Sequence, residues 1–279
     1  MNLEEIIKNG SKQLKKGKTR TSLLDAEIIL SDLMGITREF LITNSNMNVP
    51  ENIKKKFNHS INRRMNNEPV AYITGKRDFW TETFKVNRAT LIPRPETEIL
   101  IYKIIYFFRN KNINILDIGT GSGCILLSIL KELKFSRGTG IDVSNSAIKV
   151  AINNSRRFNL SNRSKFKVFD INKFNHGKYD LIVSNPPYIP SKEIKKLSKD
   201  IKDYEPDIAL NGGKDGLDLI KKVIYKSSIL LKSNGLFAIE IGTNQYSRVS
   251  PIMNKHGFRV VSKEFDYNNN VRCIISTKV

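Results

Sequence analysis

The tetrapeptide Asn185-Pro186-Pro187-Tyr188 follows the apolar run 180–184 (DLIVS), which places it just beyond the end of a strand. Asn185 offers a side-chain carbonyl as acceptor. Its position before a proline biases it toward extended geometry, which aims it outward. Pro186 and Pro187 have a fixed φ and no N–H, so this segment presents carbonyls without competing donors. Asn185 and the Pro186 carbonyl can together accept both hydrogens of a planar –NH2 group, while Tyr188 offers a flat face to its π system. An amide or arylamine nitrogen is a weak nucleophile because its lone pair is delocalised. Two acceptors on its hydrogens return density to nitrogen and fix its direction of attack, so the rate comes from positioning and preorganised electrostatics. The product then sheds its proton without a strong base. A plain proline-rich turn is the alternative, and the sequence upstream weighs against it.

That upstream sequence is a glycine-rich turn. The strand-like 113–118 (INILDI) runs into Gly119-Thr120-Gly121-Ser122-Gly123, which opens a helix. A dinucleotide fingerprint needs its third glycine at the sixth place, where this chain has Cys124, and no lysine follows to make a phosphate-cradling loop. Asp117, two residues before the first glycine, points instead to a ligand with a cationic end, and S-adenosylmethionine carries both a sulfonium and an ammonium. Asp142 ends the next strand about twenty residues on, where an acid can accept both ribose hydroxyls; capping the following helix is its bland alternative, open to Ser144 as well. The third strand ends in Asp170-Ile171, placed to receive an adenine amino group and to pack on its ring; for Asp170 a simple strand-end turn is the alternative.

These residues need a frame. From residue 96 onward strands and helices alternate, with strands near 113–118, 138–143, 165–170, 180–184, 235–241, 257–262 and 271–277, and helices near 96–108, 122–133, 145–158, 215–231 and 244–255. Alternation of this kind predicts a mostly parallel sheet covered on both faces. The last two strands have only the turn-rich EFDYNNN between them, so they are expected to be antiparallel neighbours. Residues 1–67 carry apolar positions at helical spacing, with Thr21 or Ser22 as a cap, Gly35 as a stop and Pro50 as a start. In 76–95, Phe79, Thr81, Thr83, Lys85 and Asn87 alternate as in a β-hairpin linker. The expected organisation is a helical docking domain over 1–75, a linker over 76–95, and an α/β domain over 96–279.

The bulk composition narrows the classes. Two cysteines, Cys124 and Cys273, sit inside helical and strand-like patterns and read as small buried hydrophobes; no Cys/His spacing suggests a metal site. No membrane span or signal peptide is apparent, and a cytoplasmic protein is expected. The formal charge is +20, which admits a nucleic-acid partner. However, Asn makes up about a tenth of the chain and Ile and Lys are abundant. These residues share A/T-rich codons, and lysine is spread along the whole length rather than in one block, so drift in composition accounts for the charge as well.

Taken together, Asp-x-Gly-x-Gly-x-Gly at 117–123 and Asn-Pro-Pro-Tyr at 185–188 resemble the HemK/PrmC release factor glutamine methyltransferases. Flanking blocks strengthen the resemblance: 68–75 (EPVAYITG), 91–98 (LIPRPETE), Tyr204-Glu205-Pro206, Gly212-Gly213-x-Asp215-Gly216-Leu217 and Glu240-Ile241-Gly242-x-x-Gln245. The resemblance spans roughly residues 60 to 279. It implies a class I S-adenosylmethionine-dependent methyltransferase with a seven-stranded, Rossmann-like sheet and a small all-α N-terminal domain. It also implies methylation of the side-chain nitrogen of glutamine in the Gly-Gly-Gln motif of class I peptide-chain release factors, supporting translation termination. The family's cofactor positions carry over to Gly119 through Gly123, Asp142, Ile171 and Asn185; the position of Ile171 is often aromatic in relatives. The substrate glutamine would rest on Asn185, Pro186, Pro187 and Tyr188. Arg94 and Glu96 lie near the site in such a fold, ordering the linker or simply starting a helix at Pro95. A monomer that needs no nucleic acid is expected. Asn-Pro-Pro-Tyr is shared with adenine and guanine amino methyltransferases, which keeps a nucleic-acid substrate as the rival reading, and a catalytically idle binding module is a second.

Overall fold

The computed structural model describes residues 1–279, which divide into two compact units. The first comprises Met1–Lys76 together with Ser198–Tyr204. Its helices are Leu3–Lys16, Ser22–Met34, Arg38–Thr43, Glu51–Met65 and Val70–Thr74, with the short Lys199–Lys202 in the late segment. The first opens with a capping box, Asn2 accepting from the Glu5 N–H and Glu5 reaching back to the Asn2 N–H, which satisfies two otherwise orphaned donors. The second ends at Gly35 in the left-handed conformation, as its position predicts. Leu3, Ile6 and Leu14 of the first helix pack with Ile29, Leu30, Phe57 and Ile61 into one apolar core. Two ion pairs reinforce it, Arg64 to buried Asp25 and Arg63 bidentate to buried Glu68. The late segment Ser198–Tyr204 belongs to this unit, and its Tyr204 hydroxyl donates to the Asn66 carbonyl at 2.7 Å.

The second unit comprises Arg77–Leu197 and Glu205–Val279. It begins inside a hairpin of β1 (Lys76–Phe79) and β2 (Glu82–Lys85), whose first residue closes the first unit. The alternation expected through Thr81 is broken because the chain turns at Trp80, whose φ is 56°. Phe79 and Phe84 are therefore the hairpin's buried residues, meeting edge to face at 6.0 Å.

The main sheet has seven strands: β3 (Asn114–Ile118), β4 (Arg137–Asp142), β5 (Ser164–Val168), β6 (Tyr179–Ser184), β7 (Leu231–Glu240), β8 (Phe258–Phe265) and β9 (Val271–Lys278). Their order is β5-β4-β3-β6-β7-β9-β8, with the first five parallel and β9 antiparallel to both its neighbours. This is the expected seven-stranded sheet ending in an antiparallel pair. Alternate residues of the central strands feed two separate cores. Ile115, Leu181, Val183 and Ala238 pack under the helices Glu98–Phe108 and Cys124–Glu132. Leu116, Ile182, Phe237 and Ile239 pack under Asp218–Leu230 and Tyr246–Lys255. Burial on both faces is why these strands read as continuous apolar runs. The one-turn helices Ser191–Ile194 and Lys199–Lys202 carry no buried residue, so no apolar period announced them.

The strand order reverses between β3 and β6, and a crevice opens there beyond the carboxyl ends. Ile118 pairs with Ser184 in register, so Gly119 and Asn185 leave the sheet side by side.

Candidate functional site

A cleft above this crevice gathers residues from four strand ends. It is lined by Gly119 to Ser122 after β3, Asp142 after β4, Asp170 and Ile171 after β5, and Asn185 and Pro187 after β6. Four other residues singled out in the sequence, Asp117, Gly123, Pro186 and Tyr188, stand behind this wall rather than on it.

The three glycines of the turn have left-handed φ values of 75°, 55° and 80° at Gly119, Gly121 and Gly123, which other residues adopt only with strain. Their surroundings differ. A Cβ on Gly119 or Gly121 would meet nothing within 4 Å, whereas one on Gly123 would stand 3.1–3.3 Å from Leu127, Ala151 and Phe166. The first two thus leave room for a ligand to approach the backbone, and the third lets the helix pack against the sheet.

The acids occupy unlike environments. Asp117 is fully buried; one oxygen accepts from the Thr120 hydroxyl at 2.6 Å and the other has no partner. Burial pushes its carboxyl up to about 7, with Asp142 adding to the rise. Asp142 accepts the N–H of Gly121 at 3.0 Å on one oxygen and that of Ser144 at 2.9 Å on the other. It fastens the glycine turn while keeping further lone pairs toward the cleft. Ser144, not Asp142, caps the following helix through the Ala147 N–H. Asp170 uses one oxygen on the N–H and side-chain amide of Asn172.

On the opposite wall a buried polar chain stands behind Asn185. The Asn185 Nδ2 donates to Thr97 Oγ1 at 3.2 Å, and the Thr97 hydroxyl donates to Glu240 Oε2 at 2.6 Å. Glu240 Oε1 accepts from the Tyr188 hydroxyl at 3.2 Å, and that hydroxyl accepts from Arg272 at 3.0 Å. The Arg272 guanidinium also covers the Tyr188 ring, 5.3 Å from its centroid. Burial, then the Glu240 charge, raises the Tyr188 phenol far above its ordinary value, so it stays neutral and serves as a donor, not a base. Burial also raises the Glu240 carboxyl, against the pull of Thr97 and Arg272.

The remaining sequence blocks prove to be the backing of these elements. Gln245 donates to the Tyr188 carbonyl at 2.9 Å and to the Gly216 carbonyl at 3.3 Å, while its Oε1 accepts the Gly242 N–H. Ile189 bridges to Asn211, which lays the glycine-rich 211–217 segment along the back of the tetrapeptide. Glu205, buried, accepts from the Ile92 N–H and the Arg94 guanidinium, so Arg94 orders residues 91–95. Glu240 and Gln245 stood in the sequence as parts of a resemblance without a physical role; the signal was an acid within the otherwise apolar run 236–241.

Gly216 illustrates how tight this backing is. Its φ is 77° and a Cβ there would stand 2.4 Å from the Tyr188 carbonyl. Gly216→Ala is expected to lower unfolding free energy by about 2–4 kcal/mol, from left-handed strain plus overpacking. Urea denaturation measures this, and an unchanged midpoint would mean that the segment yields freely.

Comparison with known proteins agrees with this architecture. Residues 5–75 match the family model "PrmC N-terminal domain", and residues 109–274 match "Methyltransferase domain". The chain is 37% identical to the release factor glutamine methyltransferase of Clostridium acetobutylicum, over all of this chain and 99% of that one. It is 39% identical to the protein of the same name from Buchnera aphidicola subsp. Schizaphis graminum, over the full length of both. Among solved structures, a methyltransferase from Pyrococcus furiosus superposes with a TM-score of 0.53 at 20% identity, covering 70% of this chain and 88% of that one.

Proposed function

The chain belongs to the release factor glutamine methyltransferase family, and from that premise we propose that it transfers a methyl group from S-adenosylmethionine to the side-chain amide nitrogen of the Gly-Gly-Gln glutamine in a class I peptide-chain release factor, in support of translation termination. The observation that carries this reading is the placement of Asn185. It leaves the sheet beside Gly119, lines the same cleft, and has its amide nitrogen occupied by Thr97. Its carbonyl is therefore the end available to a substrate.

The cleft suits the cofactor. The open space over Gly119 and Gly121 admits a ligand against the backbone, and Asp142 is set to accept ribose hydroxyls. S-adenosylmethionine, when bound, supplies a methyl group on a positively charged sulfur. The chain's own residues hold the nucleophile. Asn185 Oδ1, on the cleft wall, accepts an amide hydrogen of the substrate, which raises electron density on nitrogen and sets its direction. Tyr188, held neutral between Glu240 and Arg272, keeps the tetrapeptide in place. Leu91, Pro93, Pro206 and Ile208 give the cleft an apolar lining. No helix of the protein is long and apolar enough to cross a membrane.

The test offers labelled cofactor with a release factor, duplex DNA and ribosomal RNA in parallel, from low to physiological salt. Label is expected in the release factor, and none in a release factor whose motif glutamine is replaced by alanine. The +20 charge should retain DNA nonspecifically at low salt and release it steeply as salt rises, with a log–log slope near roughly −0.9 per phosphate contacted. Methylation of the release factor should persist, because charge there acts mainly on the association rate. Sequence-dependent labelling of a nucleic acid at physiological salt, with the release factor unmodified, would overturn the reading.

A further inference from the structure

Packing alone does not tell the two ends of an asparagine amide apart, because the oxygen and the NH2 group are nearly the same size. Reactivity at this site tells them apart completely. A carbonyl facing the substrate nitrogen accepts one of its hydrogens; an NH2 group facing it sets donor against donor. Something must hold the amide the right way round, and the tetrapeptide itself contains no such group.

The buried chain behind Asn185 supplies it. Thr97 is almost fully buried and its hydroxyl has a single hydrogen. Glu240, fully buried, accepts that hydrogen at 2.6 Å. With its hydrogen committed, the Thr97 oxygen can only accept, and the group facing it at 3.2 Å must be the Asn185 Nδ2. Glu240 is in turn kept an acceptor on its other oxygen by the Tyr188 hydroxyl, with the Arg272 guanidinium 3.7 Å away. Donation therefore converges on Glu240 from two sides, from Asn185 through Thr97 and from Arg272 through Tyr188. We propose that Thr97, backed by Glu240, is a positioning residue that fixes the Asn185 carbonyl toward the substrate nitrogen; this rests on the reading of Asn185 given above.

The test uses the full-length protein and four variants: Thr97→Val, which keeps the shape and removes the hydroxyl; Thr97→Ser, which restores it; Asn185→Ala; and the Thr97→Val/Asn185→Ala pair. Thr97→Val should slow single-turnover methylation of the release factor about 10-fold, with the cofactor Kd moving less than about threefold, and Thr97→Ser should recover most of the rate. In the Asn185→Ala background, Thr97→Val should cost less than about twofold further, because Thr97 acts through Asn185. A readout independent of activity is the Asn185 side-chain NH2 signal in the ligand-free protein, assigned by its loss in Asn185→Ala. It should exchange slowly with solvent in the parent and in Thr97→Ser, and fast in Thr97→Val.

Glu240→Gln tests the same idea if Thr97→Val does not fold. Arg272 and Tyr188 would draw the new carbonyl, leaving the new NH2 to donate to Thr97. The Thr97 hydrogen would then turn toward Asn185 and invert its amide, and the rate should again fall about 10-fold or more. A parental rate in Thr97→Val, or an equal loss with and without Asn185, overturns the proposal. If Asn185→Ala itself keeps the parental rate, the reading of Asn185 fails instead, and the exchange measurement still decides whether Thr97 holds the amide.

Discussion

Asn185→Ala should lower kcat by about 100-fold or more while leaving the cofactor Kd comparatively little changed. That magnitude is typical of removing one preorganised electrostatic partner from a transition state. Asn185 lines the cleft at the end of β6, while the turn that receives the cofactor is built after β3 and fastened by Asp142. Loss of the side chain therefore removes the acceptor for the substrate –NH2 without dismantling the cofactor's seat. Single-turnover transfer separates this chemistry from product release, and calorimetry gives the Kd. A variant that transfers methyl within a few-fold of the parent would show that Asn185 does not hold the nucleophile.

Asp142→Ala should weaken S-adenosylmethionine binding by about 1.5–3 kcal/mol, the range for hydrogen bonds to a charged acceptor, or roughly 10- to 150-fold in Kd. The structure adds a second expectation. Asp142 also holds the N–H groups of Gly121 and Ser144, so the ligand-free variant should melt a few degrees lower, as for a loss of about 1 kcal/mol. The two effects separate the two roles. A lower melting temperature with an unchanged Kd would reduce Asp142 to a clamp on the glycine turn. Asp142→Asn should fall between, since its NH2 group must oppose one of those backbone donors.

The centre of the sheet was legible in the sequence because β3, β6 and the end of β7 are buried on both faces, and such strands appear as apolar runs ended by turn residues. Both the antiparallel end and the placement of the glycine turn and Asn185 beyond strand ends followed from short local patterns. Three things were hidden. The turn at Trp80 is set by a left-handed backbone at a residue type that rarely adopts one. The depth of Asp117 was not apparent, because an acid beside a glycine turn looks the same in sequence whether it is open or, as here, buried with one oxygen unpartnered. The link from Asn185 to Thr97 and Glu240 joins residues 88 and 143 positions apart, and no local pattern carries information over such separations.

The split composition of the first unit has a consequence for the order in which the protein is made. Five of its helices leave the ribosome first, but Ser198–Tyr204, with the Tyr204 hydroxyl that bonds to Asn66, follows only after Arg77–Leu197 has been synthesised. At 5–20 residues per second, that interval is on the order of 10 s, far longer than a small helical unit needs to collapse. For that interval the nascent N-terminal helices are without a piece of chain that belongs to their unit. A polypeptide that ends at Lys76 lacks the same piece, and supplying Ser198–Tyr204 in trans offers a direct way to ask what the segment adds.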